Sequence, residues 1–253
     1  MDITSRTVFI AGATSGIGLE LARRFAAAGS TVVVGGRRAD LLGKIASEGF
    51  AAVRIDVTDQ GSVGRARDTI LRTHPGLDTI VTMAGTGIPE DLRDPAHFTA
   101  AEQTIDTNLL GTIRVTDAFT PHLIGRGAGT IITVSSGIGF LPFPVMPTYA
   151  ASKAAVHAYS EALRAQLDGT GVEVSELVPP AVATRPEAKQ RNPHALELAD
   201  FAAEVMDLLQ TNPTPHEILV KGVLIHRWAE RDGTYNELVA QRSQALAMLP
   251  GRQ

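Results

Sequence analysis

Short aliphatic and β-branched runs recur along the chain, separated by longer stretches whose apolar positions fall at helical spacing. The runs are TVFIA (7–11), TVVVG (31–35), AAVRI (51–55), DTIVT (78–82), GTIITVS (129–135), VEVSELV (172–178) and EILV (217–220). Most are continuously apolar, the pattern of strands covered on both faces. Between the first two, GLELARRFAAAG sets Leu19, Ala22, Phe25 and Ala26 on one helical stripe and stops at Gly29. The next helix, LLGKIASEG, stops at Gly49, and Asp59 is placed to cap the helix after the third strand. Strand and helix in this alternation imply right-handed crossovers. The predicted fold is therefore α/β: a doubly wound, Rossmann-type parallel sheet of about seven strands with helices on both faces.

No Pro/Gly/Ser linker divides the 253 residues, so one domain spanning 1–253 is expected. The irregular stretch after the sixth strand carries Pro179, Pro180, Pro186 and Pro193. It reads as a flap over a site, about residues 180–198, or as an inert surface loop. Residues from about 221 to 250 read as a closing loop and a terminal helix.

Composition narrows the function. A net charge of -4 and a pI near 6.0 provide no basic footprint for nucleic acid, which favours a small-molecule partner. The absence of cysteine excludes disulfides, thiolate nucleophiles and thiolate metal sites. The seven histidines show no paired metal-ligand spacing, so no metal is expected, and His122 and His157 are expected on helix surfaces. The start, MDITSRTVFIAGA, does not resemble a signal peptide, and no apolar stretch approaches the ~20 residues that span a bilayer. A cytoplasmic protein without a membrane partner is expected.

Candidate chemistry begins at AGATSGIG, which follows the first strand and opens the first helix. Gly12 permits the turn. Gly16 and Gly18 let backbone and helix approach a pyrophosphate, with Thr14, Ser15 and Ile17 between them, and the helix N-terminus supplies N–H donors. The second strand ends in GGRRAD. There Gly35 and Gly36 leave room, and Arg37 and Arg38 suit a 2'-phosphate, while Asp40 falls too late, inside the next helix. NADP(H) is favoured and NAD(H) possible, the other reading being that these arginines are simply solvated.

PTYAASKAAVHAY places Tyr149 and Lys153 one helical turn apart, on a shared face. Ser136 lies thirteen residues before Tyr149, at the carboxyl end of the fifth strand, where a doubly wound sheet has its cofactor crevice. Together these motifs strongly resemble the short-chain dehydrogenase/reductase family in its compact single-domain form, over almost the whole chain. GATSGIG resembles its cofactor loop, DVTD its adenine-contacting segment (Asp56, Val57), and MAG its strand-four motif (Ala84, Gly85). Asn108 in DTNLLG resembles its helix asparagine, and SS and YAASK supply its serine, tyrosine and lysine.

The resemblance implies hydride transfer at a carbonyl or alcohol carbon. Tyr149 would be the acid/base, Ser136 would bond the substrate oxygen, Lys153 would grip the nicotinamide ribose, and Asn108 would hold a relay water. A phenol titrates near ~10, so neutral-pH catalysis requires lowering it by roughly 3 units, about 4 kcal/mol. A cation about 4 Å away contributes on the order of 4 kcal/mol at an effective dielectric of ~20, so Lys153 is expected to depress Tyr149.

The chain departs from the family pattern in two places. Thr82 and Met83 replace two asparagines, which puts local stability or cofactor affinity in question. VPPAVAT carries Pro180 where glycine is usual, while Pro179, Val182 and Thr184 still match positions beside the nicotinamide carboxamide. Pro180 removes a backbone donor and is expected to stiffen the approach to the nicotinamide. The double proline resembles a bacterial subgroup associated with teichoic-acid D-alanylation.

Phe140, Leu141, Phe143, Val145 and Met146 either line an apolar substrate pocket or are buried packing. Family relatives pair helices between subunits, which implies a homodimer or homotetramer. Ala150, Ala151, Ala154 and Ala155 would allow close helix approach. The resulting reading is an NADP(H)-dependent oxidoreductase acting on a small carbonyl or alcohol. The alternatives are a non-catalytic NADP(H)-binding regulatory or scaffold protein, and an isomerase or epimerase that retains its cofactor.

Overall fold

The apolar runs become strands because each can be covered on two sides at once. In the computed structural model, which describes residues 1–185 and 187–251, the chain alternates strand and helix. In order these are β1 (Thr7–Ala11), α1 (Gly16–Ala27), β2 (Thr31–Gly36), α2 (Ala39–Ser47), β3 (Ala51–Arg54), α3 (Gln60–Thr73), β4 (Thr79–Thr82), α4 (Phe98–Ile105), a π-helical turn (Asp106–Leu110), α5 (Gly111–Arg126), β5 (Gly129–Val134), α6 (Pro147–Leu167) and β6 (Val172–Leu177). Then follow β7 (Val182–Ala183), α7 (Ala188–Arg191), β8 (Leu196–Glu197), α8 (Leu198–Leu209), β9 (Glu217–Ile218), α9 (Leu224–Arg227) and α10 (Tyr235–Ser243).

The main sheet has seven parallel strands in the order β3-β2-β1-β4-β5-β6-β9. Its two faces carry separate cores. Val8, Ile10, Val34 and Ile132 pack against Leu21, Phe25 and Phe201 on one side. Phe9, Val33, Ile80 and Ile131 pack against Ile70, Phe119 and Leu123 on the other. Each such side chain contributes about 1.5–3 kcal/mol on burial, which is why neighbouring positions on a strand are both apolar. β3, at one edge of the sheet, alternates half-buried and exposed positions.

On α1 the buried stripe is Gly18, Leu21, Ala22 and Phe25, and the expected Leu19 and Ala26 lie half-buried at its margin. Gly29 and Gly49 end their helices at positive φ, and Asp59 caps α3 by accepting from Gly61 N at 2.8 Å. No described helix is long and apolar enough to cross a membrane.

The segment expected as a flap is pinned by a short parallel ladder, Val182 to Leu196 and Ala183 to Glu197, with α7 between; Pro186 lies outside the described residues. Strand order reverses between β1 and β4, so their carboxyl ends open a crevice at the sheet's switch point.

Candidate active site

At the end of β1 the chain turns sharply at Gly12, where φ is +98° and a Cβ would stand 2.5 Å from Ala84 N. Gly12 N and Ala13 N both donate to Gly35 O, at 2.9 and 3.0 Å, tying the loop to β2. Ser15 is extended and places no side-chain cap on α1, so the helix N-terminus keeps donors for an anion. Two more approaches exclude side chains: a Cβ at Gly18 would lie 2.6 Å from Gly12 O, and one at Gly36 would lie 2.4 Å from Thr14 Cγ2.

The result is a cleft of about 550 Å³. Of the residues expected at the cofactor, Gly12, Thr14, Ser15, Ile17, Gly18, Arg37, Arg38, Val57, Ala84, Gly85, Tyr149 and Thr184 line it. Gly16 stands beside it, 3.4 Å from Thr184 Cβ when given a Cβ of its own. Asp56, Lys153, Pro179 and Val182 are not on its wall. Val182 packs partly against the core, and Pro179 O instead accepts from Gly137 N and Ser136 Oγ, at 2.9 and 3.2 Å. Ile55, Met83 and Thr107 line the cleft without having been expected there. Each immediately precedes an expected residue, a signal that was present but carries no chemistry of its own.

Arg38 Nη2 donates to Thr14 Oγ1 and Ser15 Oγ, both at 3.0 Å, so the guanidinium lies over the glycine loop. Asp40 sits inside α2, as expected, and is exposed. Burial opposes ionisation of Asp56, but hydrogen bonds from Thr58 and the charges of Arg37 and Arg54 hold its carboxyl below the usual range. A glycine-only cradle, an uncapped helix and two arginines fit a phosphorylated dinucleotide.

Beside this cleft, Ser136 follows β5 by two residues, and Pro147 at the first turn of α6 presets the helix that carries Tyr149. Tyr149 and Ser136 line one cavity, and Ser136 lowers the phenol's pKa, while the Ser136 hydroxyl itself donates to Pro179 O. One turn on, Lys153 is buried; its Nζ donates to Val134 O at 2.8 Å and lies 5.7 Å from the Tyr149 ring centroid. Asn108 is fully buried in the π-helical turn. Its Oδ1 accepts from Thr86 N at 2.8 Å, and its Nδ2 donates to Thr86 O at 2.9 Å and Ser152 Oγ at 3.0 Å. A Cβ at Gly85 would be 3.4 Å from Asn108 Oδ1 and 3.7 Å from Lys153 Nζ, so both atoms border the same small space.

The electrostatics reverse one expectation. Burial pushes the Tyr149 phenol up, against the lowering effect of Ser136. Burial also brings Lys153 down to about 8, against the raising effect of Glu176. The expected lowering of the phenol by Lys153 does not emerge here, and burial is the largest influence on both groups. Thr82, where an asparagine was noted as missing, is buried with its hydroxyl unpartnered.

A second cavity of about 590 Å³ meets the first at Tyr149, which lines both. Ser136, Phe143 and Met146 also line it, whereas Leu141 and Val145 are core residues. Phe140 packs edge-on against His157, with ring centroids 4.7 Å apart, and under Arg227. Pro180 lines this second cavity rather than the cleft over the glycine loop. His157 corrects the helix-surface expectation: its Nδ1 lies 2.7 Å from an oxygen of the fully buried Glu176, and that bond raises its pKa. His122 is half-buried, with Nε2 2.9 Å from Leu77 O. The carboxylate partner of His157 lies nineteen residues on, on β6, so the helix's own pattern held no sign of it.

These features occur together in dinucleotide-dependent oxidoreductases, the class that fold and site define. Within that class the chain belongs to the short chain dehydrogenase family, whose model matches residues 6–195. It is 33% identical over 208 residues to the uncharacterized oxidoreductase DltE of Bacillus subtilis, covering 81% of this chain and 82% of the relative. It is 37% identical over 181 residues to sulfoacetaldehyde reductase 2 of Chromohalobacter salexigens, covering 69% of this chain and 72% of the relative. Among solved structures, the alcohol dehydrogenase from the archaeon Thermococcus sibiricus complexed with 5-hydroxy-NADP superposes with a TM-score of 0.74 at 27% identity, covering 85% of this chain and 96% of that one.

Proposed function

We propose that the protein is an NADP(H)-dependent oxidoreductase that interconverts a small carbonyl compound and its alcohol, with Tyr149 as the acid/base. The observation that carries this reading is the position of Tyr149, which lines both cavities and shares the second with Ser136. The nicotinamide of a dinucleotide cradled by the glycine loop would supply or accept the hydride. In reduction Tyr149 gives its hydroxyl proton to the carbonyl oxygen, and Ser136 donates a hydrogen bond to that oxygen as charge develops. Lys153, held by Val134 O, orients the ribose side and returns positive charge to Tyr149 when protonated. Asn108 anchors the Thr86 backbone and borders the space beside Lys153 through which a proton would be relayed.

Gly12, Thr14, Ser15, Gly16, Ile17 and Gly18 form the diphosphate cradle, and Arg37 and Arg38 meet the 2'-phosphate. Val57 borders the adenine with Asp56 set beside it off the wall, while Ala84, Gly85 and Thr184 frame the nicotinamide half with Pro179 and Val182 off the wall. The similarity to an alcohol dehydrogenase solved with an NADP derivative and to a sulfoacetaldehyde reductase supports both cofactor and reaction class. The reading includes a homodimer or homotetramer. Support comes from the exposed apolar Phe98 and Leu110 around α4 and the exposed Ala151 and Ala154 on α6.

The test is a screen of NADPH oxidation over a broad carbonyl panel, with NADH in parallel. Turnover that prefers NADPH is expected. Measured NADPH binding with no turnover of any carbonyl would contradict the catalytic reading, and a preference for NADH would contradict the arginine assignment.

A further inference from the structure

The second cavity carries a charge that the proposed chemistry does not use. Arg242, on α10, reaches its wall together with His226. Arg242 Nη1 donates to Leu141 O and Pro142 O, and Nη2 donates to His226 Nε2 at 2.7 Å. A guanidinium has five N–H donors, so the Nε donor and the second Nη2 donor remain uncommitted.

The cation also lacks a counter-charge. Arg24, Arg114, Arg164 and Arg227 are likewise half-buried, and each pairs with a carboxylate at 2.6–2.8 Å. Among the described residues Arg242 has no such partner, and no aspartate or glutamate lines its cavity. A partly desolvated guanidinium without an anion is unfavourable unless a ligand completes it. His226 holds the fork in place. An arginine can only donate, so Nε2 accepts and the imidazole is neutral, in keeping with burial and the Arg242 charge bringing it down to about 4.

We propose that this cavity binds a small carbonyl compound bearing an anionic terminus, a carboxylate, sulfonate or phosphonate, with the anion on Arg242 and the carbonyl at Ser136 and Tyr149. The inference rests on the oxidoreductase reading and adds the substrate class to it. Phe143, Met146 and Ile225 supply the apolar wall for a short chain between the two ends. Arg242 and His226 lie outside residues 6–195, the part matched by the family model, so the anion-binding end is built by the chain's own C-terminal segment.

The experiment compares kcat/KM for NADPH oxidation with four-carbon aldehydes that end in methyl, carboxylate, sulfonate or phosphonate, which also separates the possible anions. Wild type should prefer at least one anionic aldehyde over butanal by tenfold or more. Arg242→Gln should lower that selectivity ratio roughly 10- to 100-fold, mainly through KM, and Arg242→Lys should retain part of it. Equal use of butanal by wild type would overturn the proposal, as would an equal loss with every aldehyde in Arg242→Gln. Calorimetric titration of butanoate, butane-1-sulfonate and butylphosphonate separates the two readings if no aldehyde is reduced. Arg242-dependent binding of one of them would then support the anion site while the oxidoreductase reading failed, and no binding by wild type would overturn the site itself.

Discussion

Tyr149 and Lys153 stand one turn apart on α6, and burial acts on them with opposite sign, raising the phenol and lowering the ammonium. A phenol that holds its proton is the form that the proposed reduction needs at the carbonyl oxygen. The same burial has a measurable consequence at Lys153. Its folded value of about 8 lies below the ordinary 10.5, so between these the unfolded chain binds the proton and the folded one does not. Stability conferred through this group therefore rises with pH across that window. In denaturant titrations from pH 7.5 to 10.5, wild type should gain on Lys153→Met by on the order of 3 kcal/mol. A difference between the two that stays flat with pH would show that the amine titrates normally.

At the scale of elements, the glycine loop decides whether the first cleft exists. Gly12 combines a positive φ with a backbone atom 2.5 Å from where a Cβ would be, so Gly12→Ala must displace either the loop or the Met83–Ala84 segment. The expected outcome is a loss of about 1–3 kcal/mol in urea-denaturation stability and at least tenfold weaker NADPH binding by fluorescence titration. Unchanged NADPH binding would mean that this loop does not cradle the nucleotide.

Much at this scale was legible in sequence. Seven apolar runs matched the seven strands of the sheet to within one or two residues, because burial on two faces is a local compositional demand. The glycine loop, at the β1–α1 junction, and Ser136, Tyr149 and Lys153, at the β5–α6 junction, were legible for a related reason: each spacing is set within one strand-to-helix junction. The AAVRI strand was legible, but its place at the sheet's edge was not, because apolar content does not reveal strand order. The two-residue β7–β8 ladder carries too little pattern to be seen. Side-chain pairings between elements, such as His157 with Glu176 and Arg242 with His226, depend on the completed fold.

For the whole molecule, the arrangement is two cavities joined at one phenol. The glycine-loop side is built from the first half of the sheet. The other is walled by the loop between β5 and α6, by the segment after β6 and by the C-terminal segment, of which the last lies beyond the part of the chain matched by the family model. Nucleotide binding and substrate choice are thereby assigned to different stretches of chain, and Tyr149 is the point where both must meet. The most direct test of this account is kcat/KM for NADPH-dependent reduction of the best carbonyl, measured for Tyr149→Phe beside wild type, with NADPH affinity determined for each. The account predicts a fall of roughly 10²- to 10⁴-fold in a variant that still binds NADPH. A rate unchanged by removing the hydroxyl would contradict it.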